Sequence, residues 1–369
     1  MTGPVRIAPP LPETAGTGRL PGPDVVRAVA LIGVVLMNYH GYLVIRGGAQ
    51  GDDLVDELFD PWTGPLSTRF ASTFVLVAGV GVTLLTRRSI GDRAAVAARR
   101  LTLVRRGLVL YAGGLLLDTI WNGTILPFYG VMFAVGAALF TLASRWVLAV
   151  GLLAAVAGAG LAWLSTQREL DGGEVSWFLG GPVSGPAKWV TDMFVNGTHP
   201  LLPWLAFFCT GIVLGRVPRT DWWRRAAIGG GLILFATASL ISSAVSAGPL
   251  ASVLSSTDPY DRGLLYVTSA LGTSLVAFGV LSWLAERFTS SVPIELLRNA
   301  GAMTLTLYVA HVVVFNLVVD WLGWIRPTGL DTALLLAGGY WVVAIAAAAW
   351  YHRRFGTGPV ERVYRLLGG

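Results

Sequence analysis

Two side chains that can do chemistry stand near the end of a long apolar run, in the segment VLMNYHGYL at residues 35–43. The amide of Asn38 can donate hydrogen bonds to an oxyanion, and the imidazole of His40 can take up a proton near neutral pH. On a regular helix the two side chains point roughly 200° apart, so one cavity receives only one of them. The geometry favours Asn38 as the inward residue, unless the helix unwinds at Gly41.

The same helix carries charge at its other end. Asp24 and Arg27 lie on nearly the same face as Asn38, since Arg27 and Asn38 differ by roughly 20° around a helix. One interpretation is structural: Asp24 pairs with Arg27 at the membrane surface, and Asn38 bonds a neighbouring helix. The other is a polar track that leads from the cytosol into the protein.

Further polar residues fall in or beside apolar segments, where each is a candidate site residue because burying it in lipid costs free energy. With the N-terminus inside, several of them fall in the outer half of the membrane and predict an outer polar chamber. They are Asn38, His40, Arg69, Asp118, Asn122 and His199. His311 lies midway along another apolar segment, TLTLYVAHVVV. For each residue, the alternative is an ordinary hydrogen bond between helices.

A basic segment stands on the predicted inner side. Residues 87–106 contain seven Arg and one Asp. One interpretation is a topology signal that lies on anionic lipid headgroups. The other is a cradle for a phosphorylated ligand, because Arg binds phosphate through two parallel hydrogen bonds. The candidates are Arg27, Arg99, Arg100, Arg105 and Arg106.

The elements that must position these residues are transmembrane helices. The chain is 54% hydrophobic and 13% charged, with a mean hydropathy of +0.64, which excludes an ordinary soluble domain. We expect an all-α polytopic membrane protein with about ten spans, no metal and no disulfide, since Cys209 is the one cysteine. The predicted spans are 25–46, 66–86, 107–121, 125–143, 146–164, 200–215, 226–248, 262–285, 299–320 and 332–351.

Charge predicts the orientation. Arg residues concentrate in alternate loops and Asp and Glu in the others, so both termini are expected in the cytosol of a bacterial inner-membrane protein. The same pattern accounts for the pI of about 9.8, so the excess of basic residues does not indicate binding to nucleic acid. Residues 1–22 are expected to be a disordered tail without a signal peptide, 23–352 a single transmembrane domain, and 353–369 a cytosolic tail.

The order of these features resembles a known family. The segment PDVVRAVALIGVVLMNYHG is similar to the first helix of heparan-α-glucosaminide N-acetyltransferase and its bacterial relatives. FASTFVLVAGVGV, ILPFYGVMFAVGAAL and NGTHPLLPWLAFFCTGIVLGR resemble its later helices. The ending FGTGPVERVYRLLGG is similar to that of an allied, uncharacterised bacterial membrane family, and LTLYVAH resembles the Tyr-x-x-His of type-3 acyltransferases.

The resemblance implies a transmembrane acyltransferase that takes an acyl group, expected to be acetyl, from cytosolic acyl-CoA and transfers it to a sugar or other acceptor outside. Asn38 matches the family's first-helix Asn. Phe59, in LFDPWTG, occupies the position of the family's catalytic His, which leaves His40, Asp60 or His199 as candidate bases. We expect Asn38 to polarise the thioester and His40 or His199 to act as the base.

The remaining candidates are assigned to substrate binding. They are Asp60, Arg69, Asp118, Asn122 and His311. Two rival functions stay open: a transporter or flippase of a lipid-linked or small polar substrate, and a catalytically inactive relative. The expected partners are the lipid bilayer, acyl-CoA and the outer acceptor, and a homodimer is compatible with the sequence.

Overall fold

The computed structural model describes residues 21–217, 221–245 and 248–369 of the chain. Within these ranges it contains fifteen α-helices and no strand. The helices are α1 Pro21–Ile45, α2 Leu54–Leu58, α3 Arg69–Thr86, α4 Arg93–Asp118, α5 Leu126–Leu139, α6 Ser144–Leu170, α7 Pro186–Thr191, α8 Leu201–Leu214, α9 Asp221–Ala244, α10 Pro249–Ser255, α11 Leu264–Arg287, α12 Val292–Gly301, α13 Thr304–Phe315, α14 Leu330–Phe355 and α15 Pro359–Gly368. Short π-helical segments follow α7 and α13, at Asp192–Asn196 and Asn316–Trp321.

The all-α polytopic membrane fold predicted from the sequence is confirmed. Seven helices in the described ranges are long and apolar enough to cross a bilayer, namely α1, α3, α6, α9, α11, α13 with its π-helical extension, and α14. An eighth span results if the bent pair Pro186–Asn196 and Leu201–Leu214 is counted as one. Large apolar side chains such as Leu152, Ile233 and Val342 are exposed on these helices, as expected of a surface that faces lipid.

The count of ten spans stays a prediction, because two of the predicted segments differ from a regular span, one in its charge and the other in its length. α4 has 26 residues, but its first fourteen carry five arginines; α5 has only 14 residues, about 21 Å. The basic segment 87–106, which lies between the predicted second and third spans, is not an open loop: from Arg93 onward it is helical and continuous with the predicted third span. The basic side chains are therefore held on a rigid helix.

Glycines let the helices approach closely. A Cβ atom on Gly107 of α4 would stand 2.5 Å from the carbonyl oxygen of Gly130 on α5, and one on Gly130 would stand 2.6 Å from that of Gly107. Gly79 of α3 and Gly211 of α8 make a similar crossing. Small residues at such crossings permit the backbone contact that drives helix association in membranes. The first crossing sets Arg106 and Tyr129, the residues beside the two glycines, at the same level.

The two predicted tails differ in what the structure says of them. Almost all of 1–22 lies outside the described residues; Pro21 and Gly22 begin α1. Residues 353–369 comprise the end of α14 and the whole of α15, which packs against α4 and α13. The Glu361 carboxylate accepts hydrogen bonds from the N–H groups of Leu305 (2.7 Å) and Thr306 (3.0 Å). It thereby satisfies donors at the beginning of α13, so this segment is part of the fold.

The orientation of the termini stays a prediction with a direct test. We expect a fluorescent protein fused after Gly369 to fold and fluoresce, and alkaline phosphatase fused there to be inactive, because Arg353 and Arg354 end α14 on the side that retains positive charge. Fusions within the loop before α8, for example after Asn196, serve as the control and should behave in the opposite way. An active phosphatase after Gly369 would contradict the ten-span topology.

Candidate functional site

A cavity of about 420 Å³ opens at the C-terminal end of α1, on the predicted outer side. Its volume lies within the range of about 300–1,000 Å³ that is usual for small-molecule sites. Asn38 and Tyr42 of α1, Trp62, Trp121 and Tyr260 form much of its wall. Tyr42 stacks on Trp121, with ring centroids 3.5 Å apart. The cavity therefore combines flat aromatic faces with few polar groups, which is typical of a site that binds one small molecule or part of one.

Asn38 lines this cavity and His40 does not. α1 continues without a break through Gly41, so the two side chains keep the angular separation that a regular helix imposes. His40 is 2% exposed, and its Nδ1 donates to the carbonyl oxygen of Phe59 at 2.8 Å. Its Nε2 is buried and has no hydrogen-bond partner among the described residues.

Behind Asn38 stands His311, which is fully buried on α13. Nδ1 of His311 contacts the carbonyl oxygen of Tyr308, and because a carbonyl oxygen only accepts, the proton belongs on Nδ1. Nε2 then carries a lone pair and accepts from Nδ2 of Asn38 at 3.2 Å. This relay fixes the orientation of the amide, which keeps its Oδ1 and its second N–H for other partners. His311 thus contacts Asn38 rather than the cavity itself.

His199 lines the cavity from the loop that precedes α8. Its ring packs against Trp204 and Phe128, with centroids 4.6 Å and 5.9 Å away. Nδ1 of His199 is buried without a hydrogen-bond partner in the described part of the chain. His40 also has a buried, unpaired nitrogen, but only His199 lines the cavity, so His199 is the better placed of the two candidate bases.

Arg262 holds the loop that carries His199. Its guanidinium donates to the carbonyl oxygens of Val195, Asn196 (2.9 Å) and Gly197 (3.1 Å). Burial lowers the pKa of Arg262 from its usual value, but hydrogen bonds to three carbonyl oxygens keep the cation in place. Arg262 adopts φ 56°, a left-handed conformation that side chains rarely take. This strain indicates that the surrounding contacts hold the residue in place.

Of the other outer candidates, only Asn122 lines the cavity among the described residues. Its carbonyl oxygen accepts a hydrogen bond from the Tyr42 hydroxyl. Asp118 instead accepts from the N–H of Gly123 at 2.8 Å and stabilises the turn between α4 and α5. Asp118 does not line the cavity, and its assignment to substrate binding stays a prediction.

Asp60 and Arg69 also lie outside the cavity lining. Asp60 accepts from the N–H groups of Trp62 (2.8 Å) and Thr63 (2.7 Å). Burial alone would raise the pKa of Asp60, but these donors outweigh it and lower the pKa, so the group is a poor base. Arg69 donates to Ser269 at 2.8 Å and lies over the ring of Tyr266 on α11. It joins α3 to α11, which is the interhelical role left open for it.

A second cavity, of about 270 Å³, lies toward the other end of α1. Arg27 of α1, Arg106 of α4 and Arg365 of α15 line it, and Glu361 is the carboxylate among them. Arg27 pairs with Asp24 at 3.0 Å, as the structural interpretation expected, and still lines the cavity. Burial raises the pKa of Tyr364, another lining residue, to about 12, although Arg106 and Arg27 oppose the shift. Arg99, Arg100 and Arg105 are exposed on α4 and do not line the cavity.

The two cavities meet at a thin wall. Phe74 of α3 and Tyr308 of α13 line both of them. The Tyr308 hydroxyl is fixed by Thr124 Oγ1 at 3.0 Å and by the N–H of Ile125 at 3.3 Å. Phe74 is half-buried and has only ring contacts, including Tyr129 at 5.8 Å. A cationic cavity and a cavity with an amide and an imidazole thus share two lining side chains, Phe74 and Tyr308.

Comparison with protein families gives this arrangement a context. The model of the heparan-alpha-glucosaminide N-acetyltransferase catalytic family matches residues 19–244, which is more than half of the chain. The chain belongs to this family. The model of a family of unknown function, DUF418, matches residues 204–368, so the two family matches together cover nearly all of this N-acetyltransferase relative. None of the curated proteins compared with the chain matches it.

Within the N-acetyltransferase family match, the position implied for the catalytic His is held by Phe59, whose side chain cannot transfer a proton. Its carbonyl oxygen instead accepts from His40. The hydrogen bond places the His40 imidazole next to Phe59, where the family's catalytic His is expected. His40 does not line the cavity that Asn38 lines. This separation makes His199 the base with the better access.

Sequence reasoning missed several lining residues, among them Tyr260, Arg262, Trp121 and Tyr308. Aromatic residues are common in membrane helices, so their types alone carry little information. Tyr308 could have been predicted from its position, since it stands one helical turn before His311 and so shares a helix face with it. The position of Arg262 depends on contacts across more than sixty residues of chain, which no local pattern reveals.

Proposed function

We propose that the protein is an integral-membrane acyltransferase that moves an acyl group, most simply acetyl, from cytosolic acyl-CoA to a sugar or other acceptor on the outer side of an inner membrane. The observation that carries this proposal is the pair of cavities on one face of α1. One presents arginines and the other an oriented amide and an imidazole, and Phe74 and Tyr308 line both. Family membership supports the reaction class.

The dimensions of α1 suit this donor. The backbone rises about 16 Å between Arg27 and Asn38, at about 1.5 Å per residue. The arm of CoA between its phosphates and its sulfur has about twelve bonds and extends over roughly 15 Å, by analogy with the reach of extended peptide. Phosphates held by arginines at the inner end would therefore deliver the thioester to the level of Asn38. The inner cavity is too small for the whole donor, so the nucleotide would lie at its mouth.

The transfer then follows from the groups at the outer cavity. His199 accepts the proton of the acceptor's hydroxyl or amine as that atom bonds to the thioester carbon. The Asn38 N–H that His311 leaves unused donates to the developing oxyanion. When the carbon–sulfur bond breaks, CoA leaves as the thiolate. Trp62 and Tyr260 offer aromatic rings to the apolar faces of a sugar ring.

Arg106 provides the sharpest test of donor binding, because its neighbour is a matched control. We expect Arg106→Gln to weaken acetyl-CoA binding by about 10–100-fold, the effect of losing a charge-assisted hydrogen bond to phosphate. Arg105→Gln, on the exposed face of the same helix, should change it less than about twofold. Isothermal titration of purified protein at low and high salt measures both, and the difference should shrink as salt rises. Equal losses in the two variants would indicate general electrostatic attraction without a defined site.

Thermal stability separates the proposal from its rivals. Acetyl-CoA at about 100 times its Kd should stabilise the folded protein by roughly 2.7 kcal/mol. A transporter or flippase would show no such shift with acetyl-CoA. An inactive relative would show the shift but transfer no acetyl group to any acceptor from a panel of amino sugars and glycans. The expectations of a homodimer and of a site without metal remain to be tested separately.

A further inference from the structure

Tyr129 has an unused polar group in a place where one is costly. It lies on α5, is 6% exposed and lines the inner cavity. Its hydroxyl is buried and has no hydrogen-bond partner among the described residues. Buried polar groups are nearly always paired, because desolvation without a partner costs free energy. The hydroxyl can therefore form a hydrogen bond with a ligand that is bound only during part of the catalytic cycle.

The other buried tyrosines of the described chain show the usual behaviour. Tyr39 donates to the carbonyl oxygen of His311 at 2.9 Å, and Tyr340 donates to that of Leu307 at 2.6 Å. Tyr266 pairs with Thr68 at 2.8 Å, and Tyr308 pairs with Thr124. These four hydroxyls are used within the fold. Tyr129 lines a cavity, as Tyr308 does, but differs from all four in that its hydroxyl is unpaired.

Its position is set by helix packing. The close crossing at Gly107 and Gly130 fixes the position of Tyr129 on α5, and Arg106, the residue before Gly107 on α4, lines the same cavity. On its other side, the Tyr129 ring meets the Phe74 ring at 62°, and Phe74 also lines the outer cavity. A ligand anchored by Arg106 and extending to Asn38 would run through the cavity that Tyr129 and Phe74 both line. The arm of an acyl-CoA offers two amide groups along this distance.

We infer that the Tyr129 hydroxyl donates a hydrogen bond to an amide carbonyl of the pantetheine arm of the acyl donor, at the passage from the inner to the outer cavity. The inference rests on the proposed function and adds a positioning residue to it. Tyr129 recognises the arm, whereas the arginines recognise the phosphates. A simple anion at the arginines would leave the hydroxyl unpaired.

Two ligands separate these roles: CoA, which has the arm, and adenosine 3′,5′-bisphosphate, which lacks it. We expect Tyr129→Phe to weaken CoA binding by roughly three- to tenfold, the effect of one neutral hydrogen bond. Binding of the bisphosphate should stay within about twofold of the wild type. Tyr111→Phe is the control, since Tyr111 lies on the neighbouring α4 and outside the cavity lining. Isothermal titration of the purified full chain measures all six affinities.

A purely structural role is tested by the unfolding midpoint. Without ligand, Tyr129→Phe should be as stable as the wild type or more stable, because it removes an unpaired buried hydroxyl. Only the additional stability conferred by CoA should fall. Unchanged CoA affinity in Tyr129→Phe overturns the inference and leaves the proposed function standing. An equal loss for both ligands, or a large loss of stability without ligand, overturns it as well. A wild-type protein that binds neither ligand overturns the proposed function together with the inference.

Discussion

Asn38→Ala is expected to reduce kcat for acyl transfer by roughly 10²–10³-fold, the usual loss when one oxyanion-hole donor is removed. The reason is the fixed geometry of the amide. His311 Nε2 accepts one N–H at 3.2 Å, and the contact of His311 Nδ1 with the Tyr308 carbonyl determines which nitrogen can do so. The second N–H of Asn38 is therefore held toward the cavity before the substrate arrives. Steady-state kinetics with acetyl-CoA and an amino-sugar acceptor measure the loss.

Asn316→Ala provides the matched control for this prediction. Asn316 is also a buried amide in a membrane-spanning segment, 4% exposed, but it donates to the Val312 carbonyl and lies outside the cavity lining. Its removal should lower the unfolding midpoint and leave kcat nearly unchanged. Asn38→Ala should lower kcat strongly with little change in the KM for acetyl-CoA, and it should also lower the unfolding midpoint, because it leaves the buried His311 Nε2 without its donor. A loss of activity in Asn316→Ala as large as that in Asn38→Ala would show that both act through the fold.

The sequence was sufficient for those features that depend on helix geometry alone. Apolar segments predicted all seven helices of the described residues that are long and apolar enough to cross a bilayer, and the 100° step per residue predicted that Asn38 and His40 face different surroundings. The Asp24–Arg27 pair also followed from spacing. Each of these depends on neighbours within one helix. Where the helix stays regular, as α1 does through Gly41, such predictions hold.

The remaining features depend on contacts between distant segments. Asp60 and Asp118 looked like site residues because carboxylates near a membrane are unusual, but both accept from nearby backbone N–H groups in turns. The partner of Asn38 is His311, more than 270 residues away along the chain. Among the basic residues of α4, only tertiary packing distinguishes Arg106, which lines the inner cavity, from Arg105, which is exposed.

The second large effect concerns the base. His199→Ala is expected to lower kcat by about 10²–10⁴-fold, the contribution usual for general acid–base catalysis, while the Kd for acetyl-CoA stays close to that of the wild type. His199 lines the outer cavity with an unpaired Nδ1, and Trp204 and Phe128 hold its ring. Adding imidazole to the assay should restore part of the activity, because the small molecule can occupy the space left in the cavity.

His40→Ala is the matched comparison, since His40 also has a buried, unpaired ring nitrogen but does not line the cavity. Its loss leaves the Phe59 carbonyl without its donor, so we expect a lower unfolding midpoint and a decrease in kcat of less than about tenfold. Imidazole should not restore it. If His40→Ala is inactive and His199→Ala is active, the base is His40, near the end of α1. In that case the end of α1 must rearrange during turnover to bring His40 to the substrate, near the position that Phe59 holds.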